Sequence, residues 1–157
     1  MTPIETEYLF DADAHLEPVP LLVGAVPDGQ RGVAYVTGGT IEGPRIRGEI
    51  LPGGGDWLLI RADGTLKIDV RVCARTHDGT VIYMSYGGRL VFSPEQMTLL
   101  ADRSTADAVD PSTYYFRTNP LFEVDMASPY AWLNRVVAIG VGRVTSRGVA
   151  YSVHAVK

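Results

Sequence analysis

A single cysteine, Cys73, stands in 157 residues. It excludes an intramolecular disulfide, and three histidines scattered at 15, 77 and 154 lack the paired spacing of a structural zinc site. No apolar run approaches the roughly 18 to 20 residues that cross a bilayer as a helix. The opening MTPIETEYLF carries acid where a signal peptide carries base. Positive charge is scarce too: 14 Lys and Arg stand against 18 Asp and Glu, a net charge of -4. That balance offers no field to hold nucleic acid or an anionic membrane. The expectation is a cytoplasmic protein with no nucleic-acid or membrane partner, no metal and no cofactor.

What is present is ordinary globular composition, 46% hydrophobic and 20% charged, at a length typical of one domain spanning residues 1–157. Seventeen Gly and ten Pro punctuate short runs rich in Val, Ile, Thr and Tyr. This distribution predicts strands near 4–10, 31–42, 45–51, 56–61, 66–76, 80–91, 114–125, 135–144 and 147–156. Asp78-Gly79 in HDGT and Gly148 in TSRG mark two hairpin turns. Only SPEQMTLLAD (93–102) reads as a helix, short, with Ser93 as cap and Pro94 at its first position. The expected fold is all-β: one antiparallel β-barrel of about eight to nine strands with one short helix.

The stretch LKIDVRVCART (66–76) alternates strictly, Leu66, Ile68, Val70, Val72 and Ala74 against Lys67, Asp69, Arg71, Cys73 and Arg75. An open sheet would bury the apolar set, whereas a barrel with a polar lumen would enclose the charged one. Neighbouring runs lack a purely polar face: Tyr83 and Ser85 alternate with Met84 and Tyr86, and Tyr114 and Phe116 with Tyr115 and Arg117. A barrel with a mixed polar and aromatic lining accommodates that pattern, so the 67, 69, 71 face is expected to point into the lumen. Its apolar exterior would then need cover, which predicts a homodimer.

The run GPRIRGEILPGGGDWLLIRADGTLKIDVRVCARTHDGTVIYMSYGG (43–88), followed by YYFRTNPLFEVD (114–125) and YAWLN (130–134), resembles the domain of unknown function 3237 family over nearly the whole chain. The resemblance implies a small β-barrel, often a homodimer, of generally unassigned biochemistry. It also places Asp56, Trp57, Asp69, Arg71, Tyr115, Phe116, Arg117, Trp132 and Asn134 on the family's recurring positions.

Within a lumen, Asp69 would be a general acid or base tuned by partial burial, Arg71 would hold an anionic or carbonyl oxygen, and Tyr86 would complete the catalytic set. The alternative for Asp69 and Arg71 is an ordinary ion pair on a wet strand face. Asp56 either points into a pocket mouth or bonds the amides of its own glycine turn, and Trp57 is either ligand platform or core. Tyr115 and Arg117 combine an aromatic face, a phenol and a guanidinium suited to an oriented ligand, or else they serve core and surface separately. Trp132 and Asn134 reach one cavity if 130–134 is extended; in a turn Asn134 becomes a cap. PGGGDW lacks the Gly-x-Gly-x-x-Gly spacing of a nucleotide loop. These residues suit a cofactor-free acid-base enzyme of lyase, dehydratase, isomerase or cyclase type acting on a small, partly apolar oxygenated metabolite. A non-catalytic barrel binding such a molecule and a purely structural dimer module remain open alternatives.

Overall fold

The structure, a computed structural model, describes residues 2–157. Its strands are β1 (Thr6–Leu16), β2 (Leu21–Val26), β3 (Gly29–Glu42), β4 (Arg47–Ile50), β5 (Gly55–Asp56), β6 (Leu59–Ile60), β7 (Leu66–Thr76) and β8 (Val81–Val91). The helix α1 (Pro94–Ala101) follows, then β9 (Tyr115–Thr118), β10 (Leu121–Val124), β11 (Ala138–Thr145) and β12 (Gly148–Val156). All pairings are antiparallel, and the long β7–β8 hairpin, in register from Leu66↔Leu90 to Arg75↔Val81, closes the sheet on itself.

Twelve strands occupy only eight lanes of this barrel. β4, β5 and β6 lie end to end between β3 and β7. β1 and β2 share a lane beside β3, and β9 and β10 share one beside β8. The alternation of 66–76 is real, and its turn has the expected chemistry: Gly79 takes φ +90°, in the left-handed region that glycine occupies without strain. The 93–102 reading also holds, since the Ser93 side chain accepts from the Gln96 amide while the Gln96 side chain returns to the Ser93 amide.

The direction of the faces is opposite to the sequence expectation. Ile68, Val70, Val72 and Ala74 are buried inside the barrel, and Lys67, Asp69, Arg71 and Arg75 face outward. Burial of apolar area outweighs the wet alternative, because a charged lumen would have left each inward ion without water. Aromatic side chains interdigitate across the interior, and Ile46, Phe122 and Leu133 are buried at one end. Residues 131–135 form a 3-10 turn rather than a strand. Among the described residues no helix is long and apolar enough to cross a membrane.

Candidate functional site

The opposite end of the barrel is hollow. A cavity of about 330 Å³ lies beneath α1, walled by aliphatic side chains such as Val36, Ile68, Val70 and Leu100. Among its polar lining residues are Asp56, Tyr86 and Tyr151. A second void of about 30 Å³ lies beyond the same two tyrosines, which therefore form a partition across the lumen.

Asp56 owes its position to the glycines before it. Gly53 takes φ +102°, and a Cβ on Gly54 would stand 2.5 Å from the Arg71 carbonyl oxygen on β7. Only a chain without side chains can turn and approach β7 so closely. The short β5 then sets Asp56 between Ala34 of β3 and Val70 of β7. Its Oδ1 accepts the Asp69 main-chain N–H at 2.9 Å, and the Trp57 amide donates to the Asp69 carbonyl at 2.9 Å. Where the lane breaks, a carboxylate has taken the place of a ladder carbonyl.

Burial in this apolar wall pushes the Asp56 carboxyl up to about 6, despite the Asp69 amide that favours its charged form. The outward Asp69 carboxylate adds to the rise and the Arg31 guanidinium opposes it. At neutral pH such a group exchanges protons easily in both directions.

Tyr86 and Tyr151 meet edge to face, with ring centroids 5.7 Å apart, and Phe116 packs the same way on Tyr151 at 5.3 Å. The area Tyr86 still exposes is cavity wall. Burial raises both phenols well above the ordinary tyrosine value, so they stay protonated and available as donors. The arrangement thus offers one proton-exchanging carboxyl and two neutral phenols inside a largely apolar chamber.

The residues singled out in the sequence separate into two groups. Tyr86 and Asp56 line the cavity. Asp69 and Arg71 do not: they form an ion pair at 3.0 Å on the outer face, with side chains 47% and 54% exposed. Their alternation places them outside because the inner positions went to Ile68, Val70 and Val72. Trp57 lies beneath Arg71, whose guanidinium carbon is 6.0 Å from its ring centre. Tyr115 and Arg117 also face outward, stacked at 5.1 Å. Trp132 carries Arg45 at 3.9 Å, beside a separate shallow depression. Asn134 is spent on the backbone: it accepts from the Val124 amide at 2.8 Å and donates to the Val124 carbonyl at 2.9 Å. Tyr151 is the residue the sequence did not mark; its signal is a phenol in phase with the apolar Val149, Val153 and Ala155 of β12. Among the described residues no group of three or more His, Cys, Asp and Glu side chains is placed to hold a metal ion.

Residues 4–156 match the family described as protein of unknown function (DUF3237). A UPF0311 protein of Rhodopseudomonas palustris is 33% identical over 157 residues, covering 99% of each chain. A conserved protein of unknown function from Rhodopseudomonas palustris has a solved structure similar at TM-score 0.89, with 28% identity and 100% of both chains covered. A β-barrel-like protein from Acinetobacter baumannii is similar at TM-score 0.82, with 33% identity over 100% of this chain and 98% of that one.

Proposed function

The chain belongs to the DUF3237 family, and from that premise we propose that it is a cofactor-independent acid-base enzyme of lyase, dehydratase, isomerase or cyclase type. Its substrate is a small, partly apolar oxygenated molecule held in the barrel cavity. The observation that carries this reading is Asp56: a carboxyl raised to about 6 in an apolar chamber, one oxygen fixed by the Asp69 amide, beside two protonated phenols. Perturbed carboxyls in enclosed pockets are the usual mark of proton-transfer sites.

In this mechanism Asp56 removes a proton from carbon next to a substrate carbonyl. The electron pair moves onto the carbonyl oxygen, and a phenol of Tyr86 or Tyr151 donates a hydrogen bond to the oxyanion as it forms. The protonated Asp56 then returns its proton to carbon or to a leaving oxygen, which restores the carboxylate.

Solvent-deuterium uptake into the activated methylene of 2-tetralone, followed by NMR, tests the chemistry on a generic ketone whatever the native substrate. The enzyme reading requires uptake accelerated over buffer and lost in Asp56→Asn. Binding of 2-tetralone with no acceleration would establish the non-catalytic barrel instead.

The proposal extends to assembly as a homodimer in the cytoplasm. Supporting a dimer, Val91 and Tyr115 face each other in register on the outer surface of β8 and β9, and Val141 and Ile139 stand on the outer face of the adjoining β11, Val141 opposite Arg117, the four apolar residues all 38% exposed or more. Sedimentation at tens of micromolar checks it, and a monomer there counts against it.

A further inference from the structure

The cavity has a second polar feature, at its mouth. Arg103, just beyond α1, is the one cation among the described residues that line the chamber. Its Nη2 donates to the Leu16 carbonyl at 2.6 Å. It forms none of the ion pairs that engage Arg47, Arg61, Arg71, Arg75 and Arg147 with carboxylates. A guanidinium presents five N–H donors in a fixed fork, and one carbonyl leaves most of them unused. The side chain is half-buried in a lining it shares with Leu16, Met97, Leu100 and Phe92, so water compensates its charge incompletely. Glu17, on the same rim, is exposed and makes no ion pair with it.

We propose that Arg103 is an anion-recognition residue, and that the substrate is a ring-containing carboxylate whose acid group sits at the mouth while its oxygenated ring reaches Asp56, Tyr86 and Tyr151. This rests on the cavity being the functional site and names the class of molecule that site takes. The two ends of the chamber differ in kind. The inner end holds the Asp56 carboxyl, which repels an anion once it is ionised, and the outer end holds a cation with no carboxylate partner. A bound molecule is thereby given one direction, acid outward and reacting oxygen inward. Bidentate carboxylate recognition is the geometry for which arginine is best suited.

The test uses two fluorescent probes with the same ring system, 2-naphthol and 6-hydroxy-2-naphthoate, titrated at pH 8 into the full chain and into Arg103→Met and Arg103→Lys. The expected result is that 6-hydroxy-2-naphthoate binds at least tenfold more tightly than 2-naphthol. Arg103→Met should abolish that advantage, and Arg103→Lys should keep part of it. Affinity for 2-naphthol should stay within about twofold in both variants, which separates loss of the anion site from loss of the Leu16 contact. Equal binding of the two probes by the unaltered protein, or an equal loss of both in Arg103→Met, overturns the proposal for Arg103 while leaving the cavity reading intact. Failure of both probes to bind overturns the cavity reading, and this inference with it.

Discussion

The main-chain N–H of Asp69 donates to Asp56 Oδ1 at 2.9 Å, while the carboxylate of Asp69 is turned through the sheet to Arg71 on the outer surface. One residue thus serves the interior with its backbone and the exterior with its side chain. Substituting its side chain should consequently leave the hydrogen bond to Asp56 in place and act on the chamber only through the lost charge.

We expect Asp69→Asn and Arg71→Met each to change stability by less than about 1 kcal/mol, the ordinary yield of an exposed ion pair. Neither should alter 2-naphthol binding, and Asp69→Asn should change deuterium uptake only through the lower Asp56 carboxyl that follows loss of the neighbouring charge, far short of the loss in Asp56→Asn. Asp56→Asn should retain the acceptor for the Asp69 amide yet reduce uptake roughly a hundredfold or more, because only the proton acceptor is gone. Parallel titration and exchange measurements on the three variants check this. A loss of activity in Asp69→Asn equal to that in Asp56→Asn would return the site to the outer face.

Folding stability should carry the signature of Asp56. Its folded value of about 6 lies above the ordinary 3.8, so between those limits the folded protein binds more protons than the unfolded chain. Stability contributed by this group therefore falls as pH rises from about 4 to above 6, by about 3 kcal/mol in total. Asp56→Asn removes the charge, and its stability relative to the unaltered protein should grow across that window and level off above it. Denaturant unfolding of both proteins at pH 4, 5, 6 and 7.5 measures the difference, in which surface carboxylates cancel. A pH-independent difference would place the Asp56 carboxyl in a wetter setting than the cavity wall provides.

The two tyrosines should separate binding from chemistry. Tyr86→Phe and Tyr151→Phe keep the edge-to-face packing and delete one hydroxyl each, so both should fold. At least one should lower 2-tetralone exchange tenfold or more with little change in affinity, since a hydrogen bond to a developing oxyanion is strongest in the transition state. Rates unaffected in both would remove the phenols from the mechanism.

Much of the fold could be read because its determinants are local. The 66–76 alternation, the Asp78-Gly79 turn and the Ser93–Gln96 cap each depend on neighbours in the chain. The inner face was not legible in the same way. Val81 and Leu121 are apolar yet exposed, and Tyr86 is polar yet inside, so polarity does not report direction strand by strand. β2 escaped for a related reason: Leu21, Leu22 and Val23 are all more than half exposed, and no alternation marks it. The pairing of Tyr86 with Tyr151 depends on closure of the barrel between distant segments, which no local pattern records.

Asn134 illustrates a functional-looking residue with a structural task. Its amide reproduces a strand's donor and acceptor for Val124, so Asn134→Ala should cost about 1 to 2 kcal/mol through two lost hydrogen bonds. Cavity binding should be unchanged. Chemical denaturation with 2-naphthol titration as companion settles the point, and weakened binding without loss of stability would argue for a ligand role.

The hollow end of the barrel also sets how the protein responds to compression. Unfolding eliminates empty interior, so the volume of about 330 Å³ makes the unfolded chain the smaller state and lets hydrostatic pressure favour it. Yielding should begin around the chamber, and a molecule lodged there acts as an internal strut, withdrawing the very volume on which pressure works.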